Sequence, residues 1–423
     1  MKTQLRVRLS AMMFGQYFVQ GAWFVTLGTY LSQGLKFDHI IGVSYSMMGI
    51  AAIVSTLLVG SLADRYFAAQ KVMAALSLVA GASMLWLSTI HDSPTLFLAV
   101  LLLHCLAYVP TVPLANAIAF NAMSDSAREF PAVRVFGTLG WIGGGLAVGA
   151  IPGAAQTPLP MQIAALAGVL LGLYALTLPD TPARERGAAG GSTRLAALFG
   201  LDIVAGMRDR PFWVFIASSL LIVIPLSFYY AYCNTFLVEI GARVALFGHT
   251  FEPVALQTLG QVSEMGFILL LPVLLARMGI KWVILAGMAA WCLRYVLFAY
   301  SFDEHGPVMP LALLGIVLHG VCYDFFFVAG QIYVDGKFPP RARVRAQSFL
   351  ALVTAGVGVL IGSNVAGLVY GWNTLTPALH DWRVIWLVPA GIAVVVMLMF
   401  AAAFRAPRAA PAGGAPLAYG AAE

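Results

Sequence analysis

Long apolar stretches alternate with short polar gaps along almost the whole chain. Twelve stretches can be delimited, at 8–32, 41–63, 71–90, 95–121, 132–151, 161–178, 211–238, 253–275, 281–301, 308–333, 344–369 and 383–404. Most reach the roughly 20 residues that a helix needs to cross about 30 Å of hydrocarbon. Membrane barrel strands are about ten residues long and alternate strictly, so these runs predict helices. The first run has an apolar core from Ala11 to Leu31, behind Lys2, Arg6 and Arg8. A secretory signal has a shorter core and a small-residue cleavage site, so this run is read as a first membrane helix.

The gaps are mostly turns, such as His91-Asp92-Ser93-Pro94. Two are longer. Residues 179–210 are rich in Ala, Gly and Arg and divide the runs into six plus six; residues 405–423 form an Ala/Pro/Gly-rich tail predicted to be disordered. The expected organisation is an N-terminal six-helix bundle (1–178), a cytoplasmic linker (179–210), a C-terminal six-helix bundle (211–404) and the cytoplasmic tail (405–423).

Composition supports a chain solvated by lipid. Hydrophobic residues make up 61%, charged residues 10%, and the mean hydropathy is +0.87. Soluble domains carry about 25% charged residues, and the few present here could not coat a globule of this size. The net charge of +6 is dispersed among the gaps rather than gathered in a patch, which argues against a nucleic-acid partner. Cys105, Cys233, Cys292 and Cys322 lie within apolar runs at spacings that suit neither a metal site nor a disulfide framework. No cofactor or metal is expected.

The basic residues orient the chain. Of the 24 Lys and Arg, with the first two residues of a span counted with the gap before it, Arg134 and Arg294 fall inside spans, and Lys36, Arg243 and Arg383 lie in odd-numbered gaps. All the others lie at the N-terminus, in even-numbered gaps or in the tail, so the positive-inside rule places both termini and the linker in the cytoplasm. The second gap carries Gly60-Ser61-Leu62-Ala63-Asp64-Arg65-Tyr66 before Lys71, and the corresponding gap of the second half carries Arg277 and Lys281. Such a repeat suits two related halves around a central cavity. The Gly-x-x-x-Asp-Arg element resembles the cytoplasmic loop signature of the major facilitator superfamily, although its usual downstream Gly-Arg is absent.

An ionisable residue within a span is a functional candidate, because lipid offers it no partner. Arg134, Glu264, Arg294 and Asp324 meet that description. Arg134, Thr138 and Trp141 are spaced i, i+4 and i+7, so one helix face presents a cation, a hydroxyl and an aromatic plane. Snorkelling of Arg134 to the interface is the competing reading. Gln261 and Glu264 share a face of the eighth span, with Glu264 too deep to snorkel. Asp324 lies among Tyr323, Phe325, Phe326 and Phe327, with Gln331 at i+7. A carboxylate at that depth is costly to keep charged, so it is a candidate proton carrier; a fixed ion pair with Arg134 or Arg294 is the alternative. Weaker stripes are Gln16, Gln20, Trp23 and Tyr30 in the first span and Ser227, Tyr230 and Asn234 in the seventh. Arg294 is assigned no role beyond a structural pair.

These residues resemble the bacterial nucleoside:proton symporter family of the major facilitator superfamily, over nearly the whole chain. The resemblance runs through Trp23-Phe24-Val25-Thr26-Leu27-Gly28, Tyr108-Val109-Pro110-Thr111 and Phe130 to Thr138. It continues through Gly200-Leu201-Asp202, Asn234-Thr235-Phe236-Leu237, Gln261-Val262-Ser263-Glu264 and Tyr323-Asp324-Phe325-Phe326. It implies a twelve-helix transporter of the inner membrane, taken as a monomer, that imports nucleosides with protons. It also implies that Arg134, Thr138, Gln261, Glu264 and Asp324 are polar ligand contacts, with Trp141 and Tyr323 at aromatic positions. Ser227 and Tyr230 stand where relatives carry amides. Asp324 and Glu264 are the expected proton-coupling residues, Asp324 being the better candidate for the proton and Glu264 for holding ligand hydroxyls. A proton symporter for a sugar or other small polar metabolite would share these features. A non-transporting receptor would be expected to carry a soluble sensing domain. An enzyme or ATP-driven pump finds no nucleophile–base pair, metal cluster or phosphate loop in the sequence.

Overall fold

The computed structural model describes residues 3–58, 68–181, 199–246, 248–376 and 379–405. The loop signature at 60–66, most of the linker and the tail beyond Arg405 lie outside the described residues.

Helices occupy each of the twelve predicted positions. In the first half they are α1 (Thr3–Trp23), α2 (Ile41–Leu58), α3 (Ala69–Leu87), α4 (Pro94–Asn121), α5 (Ser126–Gly149) and α6 (Leu159–Ala175). In the second half they are α7 (Arg210–Glu239), α8 (Pro253–Met278), α9 (Ile280–Ala299), α10 (Met309–Lys337), α11 (Ala342–Trp372) and α12 (Trp382–Ala403). Ten stretches among the described residues are long and apolar enough to cross a membrane. The other two positions are filled by α1, with Arg6 and Arg8 in its first turns, and by the 17-residue α6.

Local chemistry fixes many of the ends. Ser93, Asp125, Asp209 and Asp381 each accept a hydrogen bond from the backbone N–H three residues on, which satisfies donors that a helix start leaves open. Proline follows in the first turn of α4 and α7, where its missing N–H costs nothing. Between α8 and α9, Gly279 takes φ 76° and turns the chain in one residue. Three antiparallel hairpins, unanticipated by the sequence, join α7 to α8, α9 to α10 and α11 to α12.

Within the first half α1 packs on α5 and α6, and α3 on α4 and α6. Within the second half α9 packs on α10 and α12, and α7 on α11 and α12. In lipid, where apolar side chains gain little by leaving their solvent, such packing relies on close backbone approach through small residues. Gly21, Gly140 and Gly144 serve this purpose between α1 and α5, where an added Cβ would meet the facing backbone.

The halves touch through α2 with α11, α5 with α8, and the far end of α1 with α7. Gly28, Gly42, Gly49 and Gly149 let these backbones meet. Five hydrogen bonds cross the interface among the described residues. Thr29 Oγ1 and Thr235 Oγ1 are 3.1 Å apart, and Asn234 Nδ2 donates to Thr29 Oγ1 at 2.8 Å. The Tyr370 hydroxyl bonds Ser32 Oγ and donates to Asp38 Oδ1, both at 3.2 Å, and Asn364 Nδ2 donates to Ser46 Oγ at 2.7 Å. All lie toward the end of the molecule away from the N-terminus. The halves are joined there.

Tyr370 is held from behind. Its ring stacks between Tyr232, at 4.4 Å, and His380, at 4.2 Å. His380 in turn is gripped by Glu239, whose carboxylate accepts the His380 backbone N–H at 2.9 Å and contacts Nδ1 at 2.8 Å. Tyr370→Phe keeps the stacking and removes both cross-half bonds. The loss is about 1–3 kcal/mol, or a 5- to 150-fold shift towards separation of the halves at this end. Spin labels at Lys36 and Leu375 should report a larger population of long distances; an unchanged distribution would show that these bonds do not hold the face shut.

Candidate functional site

Short of the closed end, five helices surround a cavity lined by Tyr17, Arg134, Thr138, Trp141, Tyr230, Gln261, Glu264, His319 and Tyr323. They belong to α1, α5, α7, α8 and α10, so both halves contribute. Seven of the nine residues expected at the site line this cavity: Arg134, Thr138, Trp141, Tyr230, Gln261, Glu264 and Tyr323.

The α5 face is ordered by its spacing. Arg134, Thr138 and Trp141 reach the cavity together, while Gly137, Gly140 and Gly144 on the neighbouring face let α1 come close. Arg134 does not snorkel. Its guanidinium lies over the Tyr17 ring, 4.3 Å from the centroid, an arrangement that stabilises a partly desolvated cation. Glu264 lines the same space, which lets the two charges share one polar environment.

The α8 and α10 faces are registered by Gly320. Its lack of a side chain lets α10 pack on the backbone of Ser263 and Glu264. Ser263 Oγ accepts the Gly320 N–H at 3.1 Å and donates to the Gly260 carbonyl at 2.7 Å. The clamp brings Glu264 alongside His319 and Tyr323.

At the closed end the cavity meets a break in α1. Regular helix stops at Trp23, and Phe24, Val25 and Thr26 form a turn before the chain continues as Leu27–Thr29. Tyr45 stabilises this turn, donating to the Phe24 carbonyl at 2.7 Å and accepting the Gly28 N–H at 3.2 Å. Phe24 is thereby set edge-on to Trp141 at 6.0 Å and beside Tyr230 at 5.4 Å. An aromatic cap sits between the cavity and the cross-half bonds.

Two expected residues lie elsewhere. Ser227 donates to the Val223 carbonyl at 2.9 Å and packs against Gly362 of α11. Asp324 opens a wide π-type turn, Asp324–Val328, that interrupts α10. It is fully buried, and neither carboxylate oxygen has a hydrogen-bond partner among the described residues. It forms no ion pair with Arg134 or Arg294. Gln331, spaced to share its face, is exposed instead.

The weaker stripes resolve into structure. Gln16 is buried and donates to Thr111 Oγ1 at 2.7 Å, bracing the break in α4 at Val109-Pro110. Asn234 bonds Thr29 and accepts from Gln257 Nε2 at 2.8 Å, so it belongs to the closed end. Tyr17 and His319 were missed as lining residues. Tyr17 follows Arg134 only in three dimensions, whereas His319 could have been flagged as a titratable residue one turn before Tyr323.

A family profile described as Nucleoside H+ symporter matches residues 1–409. The putative nucleoside transporter YegT of Escherichia coli is 38% identical over 409 residues, covering 94% of this chain and 93% of that protein. The xanthosine permease of Escherichia coli is 33% identical, covering 95% and 96%. The crystal structure of nucleoside transporter NupG superposes with a TM-score of 0.83 at 30% identity, covering 95% of this chain and all of that one. The helical architecture is thus that of a major facilitator transporter, and the chain belongs to the nucleoside H+ symporter family.

Proposed function

We propose that this protein imports nucleosides together with protons by alternating access, and that the cavity between its halves is the binding site. The observation that carries the reading is the make-up of that cavity. Trp141, Tyr230 and Tyr323 supply flat apolar faces for a base, and Glu264 and Gln261 supply acceptors for ribose hydroxyls. Arg134 and Thr138 supply donors from α5. The names of the relatives, a putative nucleoside transporter and a xanthosine permease, point the same way.

In the reading we favour, the protein is a monomer in the bacterial inner membrane. Both termini and the 179–210 segment face the cytoplasm, and 1–178 rocks against 211–404 about the cavity, with 405–423 as a cytoplasmic tail. The closed end then faces the periplasm, so the conformation described is shut to the outside. Its partners are a nucleoside, protons and lipid, without cofactor, metal or nucleic acid, and it moves its substrate without altering it. Glu264 holds ligand hydroxyls. Asp324, buried without a donor or counter-charge among the described residues, carries the proton, since an ionised carboxylate there would be uncompensated. Ser227 joins the ligand shell only if α7 moves against α11.

In proteoliposomes with an inward proton gradient, labelled uridine or inosine should accumulate, a protonophore should abolish accumulation, and unlabelled nucleosides should compete. Competition by sugars but not nucleosides would replace this reading with a sugar symporter.

The two carboxylates separate in function. Asp324→Asn should abolish gradient-driven accumulation while preserving nucleoside binding, and Glu264→Gln should mainly weaken binding. Accumulation by Asp324→Asn that still follows the pH gradient would remove Asp324 from the coupling role.

Stacking is read by Trp141. Trp141→Ala should weaken nucleoside binding about 5- to 150-fold, for the roughly 1–3 kcal/mol that an aromatic platform contributes per base. Trp141→Phe should bind within about fivefold of wild type. Titration calorimetry on purified protein decides, and an unchanged affinity in Trp141→Ala would place the base elsewhere.

A further inference from the structure

Behind the cavity wall lies an arginine that pairs with no carboxylate among the described residues. Arg294 of α9 is fully buried, and its guanidinium sits over the Tyr229 ring, 3.5 Å from the centroid. Its Nη1 is 3.1 Å from Nδ1 of His319, whereas Nε and Nη2 have no hydrogen-bond partner among the described residues. A cation at membrane depth without a counter-charge is costly and calls for a reason beyond packing.

The bond to His319 supplies one. A guanidinium stays charged and offers only donors. Nδ1 of His319 must therefore be the acceptor, and the single ring hydrogen resides on Nε2. A doubly protonated ring is excluded by the same bond, because it would set two N–H groups against each other. The ring has little freedom to turn. It stacks on Tyr229 at 5.2 Å and 23°, meets Tyr230 edge-on at 6.2 Å, and lies 5.8 Å from Tyr323. His319 lines the cavity, and its Nε2 donates to no described residue.

We propose that Arg294 fixes His319 as the Nε2–H tautomer, so that this wall presents a neutral hydrogen-bond donor to an acceptor on the bound nucleoside, a carbonyl or ring nitrogen of the base. His319 is then a specificity-determining residue. Arg294, which does not touch the ligand, is a positioning residue that acts through it. The inference rests on the nucleoside reading of the cavity and adds a polar contact from α10 to it. It gives the second half a donor to balance the acceptors Gln261 and Glu264 on α8.

The test reads the tautomer directly. Protein labelled with 15N-histidine is reconstituted in bilayers, and the His319 signals are identified by their loss in His319→Gln. The wild type should show an unprotonated Nδ1 and a protonated Nε2, with the Nε2 resonance displaced by saturating inosine or uridine. Arg294→Met should scramble the tautomer and weaken nucleoside binding about tenfold, the equivalent of one hydrogen bond of about 1.4 kcal/mol. His319→Gln, whose amide has no tautomer for Arg294 to set, should bind more weakly than wild type, and adding Arg294→Met to it should cause no further loss. A wild-type Nδ1 that carries the proton overturns the proposal, and that arm needs no variant to fold. So does an equal loss on adding Arg294→Met to His319→Gln. Nucleoside binding that leaves Nε2 undisturbed overturns this inference alone, whereas a wild type that binds no nucleoside overturns the nucleoside reading and this inference with it.

Discussion

The hydrocarbon solvent is the constraint on which the rest of this structure depends. A polar group facing lipid has no water to turn to, so each must find a protein partner or an enclosed polar space. That requirement sorts the spans. Gln16, Asn234 and Gln257 are consumed in side-chain bonds that brace helix breaks and the closed end. Arg134, Thr138, Gln261 and Glu264, which make no such bonds among the described residues, are gathered in a cavity lined by five helices. A ligand that completes their bonding is what such a space is suited to hold.

The same constraint shapes the contact between the halves. A transporter that rocks must break and remake this interface, so strong buried ion pairs across it would be a hindrance. The observed interface uses glycines, which let backbones touch over a small area, and five hydrogen bonds, four of them between neutral groups. The fifth, from Tyr370 to Asp38, ends on an acid, but its donor is a neutral hydroxyl. Ion pairs that the described residues do form, such as Arg243 with Glu252, Lys337 with Asp209 and Arg345 with Asp202, lie within the second half or tie it to the end of the 179–210 segment. Strong contacts hold the moving body together, and weak ones join it to its partner.

Much of this was legible in the sequence because it follows from run length and helical period. The spans could be placed because an apolar run longer than a strand has few alternatives in lipid. Arg134, Thr138 and Trp141 could be grouped because a regular α-helix carries i, i+4 and i+7 to one side, and α5 is regular there. What failed to show was whatever departs from that period. The turn at Phe24, Val25 and Thr26 is held by the Thr26 hydroxyl, which donates to the Trp23 carbonyl, and by the distant Tyr45 hydroxyl, which no helical period reveals. Gln331 was placed by counting seven residues from Asp324, but the wider π-type turn between them rotates the chain less per residue, and Gln331 ends up outward. Ser227 and Tyr230 sit one turn apart, yet burial against α11 claims the first while the cavity takes the second.

The partners that decide a residue's role are also remote in sequence, and this limits what a stripe can tell. Arg134 on a span end reads equally as an interfacial cation or a ligand contact until Tyr17, more than a hundred residues earlier, is seen beneath it. Arg294 has no acid within its own helix, and the ion pair that the sequence allowed with Asp324 of the next helix does not form. Its partner is a ring nitrogen 25 positions later, and that bond matters because arginine lacks any acceptor. The chemistry was present in the residue types, but the direction in which each side chain donates was fixed only when the helices were brought together. A membrane transporter therefore reveals its architecture through hydrophobicity and its selectivity through the few bonds that hydrophobicity leaves unsatisfied.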